Sequence, residues 1–191
     1  MDTPETVRLL GNSLCLDFAN SVDWSLEGEP VKDEVLKTPA DLRRWARRLT
    51  LGNSATPDND ELARALELRA ALHHAFAAIA HGDEPAPKHL ATIATHHTEA
   101  TAAARIKRGD DGAYHLDWPR SDPRRTRFAV VADAATLLAD AERVKRLRHC
   151  PGHDCGWLFL DLSGRRRWCS MDTCGSRAKM RRLYERRRAA R

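Results

Sequence analysis

Aromatic side chains are scarce in this chain, 6% of 191 residues. Nowhere do apolar residues run for the about 18 positions that a membrane-crossing helix needs. No stretch joins a basic start, an apolar run and a small-residue cleavage site, so neither membrane insertion nor export is expected, and the cytoplasm is the default compartment. Glycine-rich loops that cradle phosphate are missing, and so are carboxylates paired for acid and base work. The nearest approach to a nucleophile and its base is Cys15 with His73-His74 or His96-His97, and Asp17 as an orienting group. Nothing in their spacing requires that arrangement. Consecutive histidines on an amphipathic helix place at most one ring inward. No catalytic residue is therefore expected, and the chain does not read as an enzyme.

What the chain does have is a cysteine quartet near its end. Cys150 and Cys155, then Cys169 and Cys174, form two C-x4-C pairs separated by the thirteen residues from Gly156 to Trp168. The fifth cysteine, Cys15, stands apart as a candidate core residue. Two disulfides would also use four cysteines, but an Arg-rich segment without an export signal favours a metal. Four thiolates suit one tetrahedral Zn²⁺ and leave no open position, so the ion would be structural. His149 and His153 compete for a ligand place, since imidazole also suits zinc; the matched cysteine spacings favour all four sulfurs. Between the pairs, apolar and aromatic residues flank Ser163-Gly164, which predicts a short β-hairpin. Beyond Cys174, Met180, Leu183 and Tyr184 repeat at helical spacing with basic residues on the opposite arc. Knuckle, hairpin and helix in that order predict a treble-clef-like finger.

Charge divides the chain in two. Residues 143–191 hold fifteen Lys and Arg against four Asp and Glu, and the rest hold seventeen against twenty-three. A module of +11 thus sits beside a body of −6, which together make the chain's +5. A basic module on an acidic body is the footprint of a nucleic-acid binder, because neutralising phosphates releases counterions. The candidates to hold phosphate are Arg165, Arg166 and Arg167 between the cysteine pairs and Arg177, Lys179, Arg181, Arg182 and Arg186 on the final helix. Arginine offers a planar fork to phosphate or guanine.

Along the rest of the chain, apolar periodicity predicts a mainly helical body over residues 1–142, with the finger over 143–191 and no flexible linker between them. Leu14, Leu16 and Phe18 alternate as in a strand, while Leu14, Phe18 and Val22 suit one helix face, so periodicity does not decide that segment. Thr38-Pro39 opens a helix that Gly52-Asn53 ends. A longer helix starts at Asp58 or Asn59 and stops near His81-Gly82, with Arg69 read as snorkelling from the edge of its core face. A third helix runs from Lys88 to about Ala104 with Leu90, Ile93, Ala94, His97 and Ala104 on one side. Gly109 to Gly112 then turns a small β-hairpin, and Asp122-Pro123 caps a fourth helix.

The strings Cys150-Pro151, Leu158-Phe159-Leu160-Asp161, Arg167-Trp168-Cys169-Ser170-Met171 and Cys174-Gly175-Ser176-Arg177 resemble the bacterial CGNR zinc finger. Ser176 stands where that family carries Asn. Leu14-Cys15-Leu16-Asp17-Phe18-Ala19-Asn20-Ser21-Val22-Asp23 resembles the start of the ABATE domain, a family of stress-induced transcription regulators. The resemblance implies a zinc-dependent regulator that binds duplex DNA, with an N-terminal domain able to sense a small-molecule effector. If the body holds such a pocket, Asn12, Asp17, Asn20 and Trp24 are the polar and aromatic groups to line it; as caps, turn and core residues they have an ordinary role too. Pairing as a homodimer would match two half-sites. The other reading of the basic finger is a zinc-stabilised interaction module for RNA or an acidic protein partner.

Overall fold

The structure, a computed structural model, describes residues 3–25, 28–31, 34–49, 51–52 and 55–189. Its elements are α1 (Leu14–Ala19), α2 (Pro39–Arg48), α3 (Asn59–His81), α4 (Pro87–Ala103), β1 (Arg105–Arg108), β2 (Tyr114–Asp117), α5 (Arg125–Ala139), α6 (Ala141–Val144), β3 (Leu147–His149), β4 (Leu158–Leu160) and α7 (Ser176–Ala189). A π turn, Met171–Gly175, leads into α7. No described helix is long and apolar enough to cross a membrane.

Local signals account for most boundaries. Thr38 and Asp41 close a reciprocal capping box at the head of α2, with Pro39 at its first position. Asp58 accepts from Glu61 N at 2.8 Å to start α3, and Gly82, at φ 86°, ends it in the left-handed conformation. Of the stop expected for α2, Asn53 lies outside the described residues; the helix ends at Leu49. Tertiary packing settles the ambiguous opening segment as the helix α1, whose Cys15, Leu16, Phe18 and Ala19 are fully buried.

α1, α2, α3, α4 and α5 share one hydrophobic core that includes Phe18, Leu36, Trp45, Leu72, Phe76 and Phe128. Three residues of the C-terminal segment, Leu147, Leu158 and Leu160, belong to that same core. β3 and β4 pair antiparallel, with Leu147 opposite Leu160 and His149 opposite Leu158. The separate β1–β2 hairpin lies on the surface.

Several expectations need correction. The strand pair of the finger brackets the first cysteine pair, with no strand over residues 165–168. Ser163-Gly164 does turn, but Asp161 Oδ1 accepts from Arg165 N and Arg166 N, each at 3.1 Å, and those amides are thereby diverted from a ladder. α5 begins at Arg125 because Asp122 caps a turn at Arg124 N, 2.9 Å away. On α4 the inward residues are Ile93, His96 and Ala100 instead of Leu90, Ala94 and His97. Arg69 is buried, 4% exposed, with both terminal nitrogens on the Glu34 carboxylate, so it does not snorkel. On α7 the buried residue is Ala178, while Met180 and Tyr184 are 49% and 63% exposed.

The position of His96 follows from a buried ion network. Arg127 on α5 is fully enclosed, its Nε and Nη2 on the two oxygens of Glu61 at 2.8 and 2.9 Å. Its Nη1 donates to His96 Nδ1 at 2.8 Å and to Glu99 Oε2 at 2.9 Å, and Arg64 also pairs with Glu99. The flanking guanidinium groups, Arg127 first, hold the Glu99 carboxyl down at about 2 against the effect of burial. One cation thus ties α3, α4 and α5. Arg127→Leu should strip Glu61 of that partner and cost about 3–5 kcal/mol. A shift of the urea midpoint corresponding to less than about 1 kcal/mol would contradict that role.

Candidate metal centre and basic face

β3 runs into Cys150, and the turn from Pro151 to Cys155 wraps back so that Cys155 N donates to Gly152 O at 3.2 Å. The turn needs glycine: a Cβ at Gly152 would lie 2.8 Å from Cys174 Sγ. Cys169 N donates to Cys150 Sγ at 3.3 Å, which brings the second pair over the first. Cys174 is carried by the π turn, whose first free amide, Asp172 N, is capped by Ser170 Oγ at 3.2 Å. Sγ separations are 3.8 Å for Cys155 and Cys169 and 3.6 Å for Cys169 and Cys174. All four sulfurs fall within 4.8 Å of one another.

That spacing fits a metal. A tetrahedron with zinc–sulfur bonds of about 2.3 Å has edges of about 3.8 Å. Without a cation, hydrogen bonding to Cys150 and then Cys169 pushes the Cys155 thiol far above the ordinary range, while hydrogen bonds from Cys155 and Cys169 push the Cys150 thiol down. Zinc binding must therefore displace protons. His149 stacks edge-on against His81, and His153 pairs with its neighbour Asp154, so neither imidazole enters the cluster. Trp157, Phe159 and Trp168 pack around the sulfurs.

The groups expected to line a pocket converge on this segment. Asn20, fully buried, donates from Nδ2 to Leu158 O at 2.8 Å and accepts from Leu158 N at 3.0 Å. Asn12 Nδ2 donates to Leu160 O at 2.9 Å. Trp24 stacks on His73 with centroids 4.1 Å apart, and His73 Nε2 bonds Gly156 O at 2.8 Å. Burial pushes the His73 imidazole down to about 3, so the ring is neutral and Nε2 carries the proton that it donates. Gly156 N donates to Trp24 O at 3.0 Å. Asp17 instead accepts from Gly11 N at 2.7 Å, and burial pushes its carboxyl up to about 6 against that bond. Of the four, Trp24 faces a cavity of about 240 Å³, shared with Arg8, Asp23, Trp157, Cys155 and Arg177. The sequence missed that Asn12 and Asn20 hold the finger's backbone; their position just before and just after the apolar α1 was the available signal.

Cys15 has no features of a nucleophile. It is fully buried, and burial first and Asp133 second push its thiol up, the reverse of activation.

The predicted phosphate-binding side chains separate into two sets. Arg165, Arg167, Arg177, Lys179, Arg181, Arg182 and Arg186 are exposed. Arg167, Lys179, Arg182 and Arg186 border a cleft of about 520 Å³ whose floor includes Trp168 and Met171. Arg166 drops out of that set. Its guanidinium lies 4.2 Å from the Phe159 ring centre and donates to Leu10 O at 2.7 Å, Trp168 O at 3.1 Å and Cys169 O. It fastens the finger's loop to the N-terminal segment.

Two family matches account for this arrangement. Residues 12–141 match ABATE, described as a putative stress-induced transcription regulator, and residues 146–187 match the CGNR zinc finger. The chain belongs to the ABATE family. No curated protein matches it. The two families that match this ABATE protein, one described as a putative regulator and the other as a zinc finger, are not enzyme families. Its CGNR finger holds one structural zinc, for which the four-thiol cluster is the fitting donor set. Ser176, in the place of the finger's Asn, donates to Asp172 O at 2.9 Å and Thr173 O at 3.0 Å, which ties the π turn to the first turn of α7.

Cys155→Ser or Cys174→Ser should lower the zinc content from one ion per chain to a small fraction, measured by metal analysis after gel filtration. Retention of stoichiometric zinc in either variant would contradict the four-thiolate site. Acidification should release the ion from the wild type, since protons compete for thiolate.

Proposed function

We propose that this ABATE-family protein regulates transcription by binding duplex DNA through its zinc-held finger. The observation that carries the reading is α7. It stands exposed along its length apart from Ala178 and half-buried Leu183, and it bears Arg177, Lys179, Arg181, Arg182, Arg186, Arg187 and Arg188 against a single acid, Glu185. So much like charge on one projecting helix is self-repelling, and a polyanion relieves it. Arg165 and Arg167 extend the cationic surface beside the helix, and the cleft lined by Arg167, Lys179, Arg182 and Arg186, four cations against the one carboxylate of Glu185, gives a phosphate several donors at once. The acidic body repels DNA and leaves the finger as the contact.

In this reading zinc has no chemical part in recognition. Cys174 anchors the π turn from which α7 springs, so the thiolate cluster fixes where the basic helix points.

Fluorescence anisotropy of the full-length protein on duplex DNA across a salt series tests the reading. Binding should weaken steeply with salt and be abolished by a zinc chelator. Arg181→Ala and Arg182→Ala should each lower the slope of log K against log salt by about one. Binding that ignores zinc, or slopes unchanged in both variants, would overturn it.

A further inference from the structure

Phosphate binding does not explain the third face of α7. Met180, Leu183 and Tyr184 form an apolar strip that looks outward, with Met180 and Tyr184 half exposed or more and Leu183 half-buried. Such a strip on a soluble helix marks a surface that something covers. Its borders indicate what. At about 100° per residue, Arg177, Arg181 and Arg188 fall along one flank of the strip, and Lys179, Arg182 and Arg186 along the other. Arg187 lies within the strip, between Leu183 and Met180 in projection.

We propose that this strip is the face with which α7 reads base edges in the major groove. The inference rests on the duplex-binding function above and assigns its sequence preference to Met180, Tyr184 and Arg187. A helix with its side chains is about 10–12 Å across, which matches a major groove about 12 Å wide. Seated there, the two cationic flanks meet the phosphates of the two opposite strands, and the strip between them meets the bases. Each chemistry has a counterpart in the groove: Met180 and Tyr184 suit the thymine methyl group, and the Arg187 fork suits the O6 and N7 of guanine.

An anionic membrane surface is the other polyanion that an apolar strip with arginine borders could meet. Arg187 argues against it. A helix lying on a membrane would drive that guanidinium toward the acyl chains, whereas in a groove the same position faces a hydrogen-bonding base edge. Ala178, the buried residue, faces away from the strip, so the strip can be engaged without disturbing the seat of α7.

The test uses zinc-loaded full-length protein and a duplex selected by it from a random pool. Met180→Ala and Tyr184→Ala keep the helix, the charge and the zinc site. They should leave the salt slope unchanged while lowering the ratio of selected to scrambled duplex affinity by roughly fivefold each, and Arg187→Ala should lower that ratio by about tenfold or more. Arg182→Ala should do the reverse: a smaller slope and an unchanged ratio. Ratios that stay at the wild-type value in the Met180, Tyr184 and Arg187 variants, with wild-type duplex binding intact, would overturn this assignment and leave the DNA-binding function standing. Failure of the wild type to bind any duplex would overturn both. Co-sedimentation with phosphatidylserine vesicles that Met180→Ala and Tyr184→Ala abolish, beside unchanged duplex ratios, would assign the strip to a membrane instead.

Discussion

The structure depends on one amide. Asn20, at the end of α1, gives Leu158 both a donor and an acceptor, as a neighbouring strand would, on the outer side of β4 where Gly11 and Asn12 serve Leu160. With the side chain fully enclosed, its loss would leave a buried N–H and a buried C=O without partners, a penalty of about 1–3 kcal/mol for each group. Through that bond Leu158 and Leu160 enter the core of the helical body, and β3 follows with Leu147. The zinc finger of this ABATE protein is therefore half inside the domain it accompanies. Its strand pair is held by the body, and its second cysteine pair is held by zinc together with Arg166, which bridges Cys169 O and Leu10 O.

That division explains the placement of charge. The body neutralises the arginines it buries: Arg127 against Glu61 and Glu99, Arg69 against Glu34. Each is costly to enclose without the carboxylate set against it. The arginines of α7 have no such enclosure and project into solvent beside a metal centre. Arg166 belongs to the first kind although it sits among the second, with its donors directed at backbone carbonyls of Leu10, Trp168 and Cys169. The direction of the basic helix is thus set by buried backbone contacts and a thiolate cluster, not by a linker.

Much of this was legible in the residues. Thr38-Pro39 with Asp41, Asp58 and Gly82 are local signals, and the helices they bound fell close to where capping chemistry puts them. The spacing of the four cysteines pointed to the cluster that the fold assembles. What escaped was set by partners far along the chain. Arg69 reads as a snorkelling edge residue until Glu34 is brought against it, 35 residues away in sequence. His96 is chosen over His97 by Arg127, which belongs to another helix. Asn20 looks like an ordinary cap, and only the fold supplies Leu158 as its partner, 138 positions on. The finger's strand pairing was misplaced because the hairpin-like stretch around Ser163-Gly164 is taken over by the Asp161 side chain, while the true partner of β4 lies ahead of the first cysteine. Met180 and Tyr184 follow a core-like period, yet they are 49% and 63% exposed.

The claim on which the rest stands is that the zinc-bound segment and the helical body form one cooperative unit. Heating the zinc-loaded protein while following helical circular dichroism and the appearance of zinc with a chromogenic chelator would test it most directly. The account predicts one transition, with zinc released at the temperature where the helices melt. Release of zinc well below a separate helical transition that is itself unchanged in temperature would contradict it, and would make the finger a module merely attached to the body.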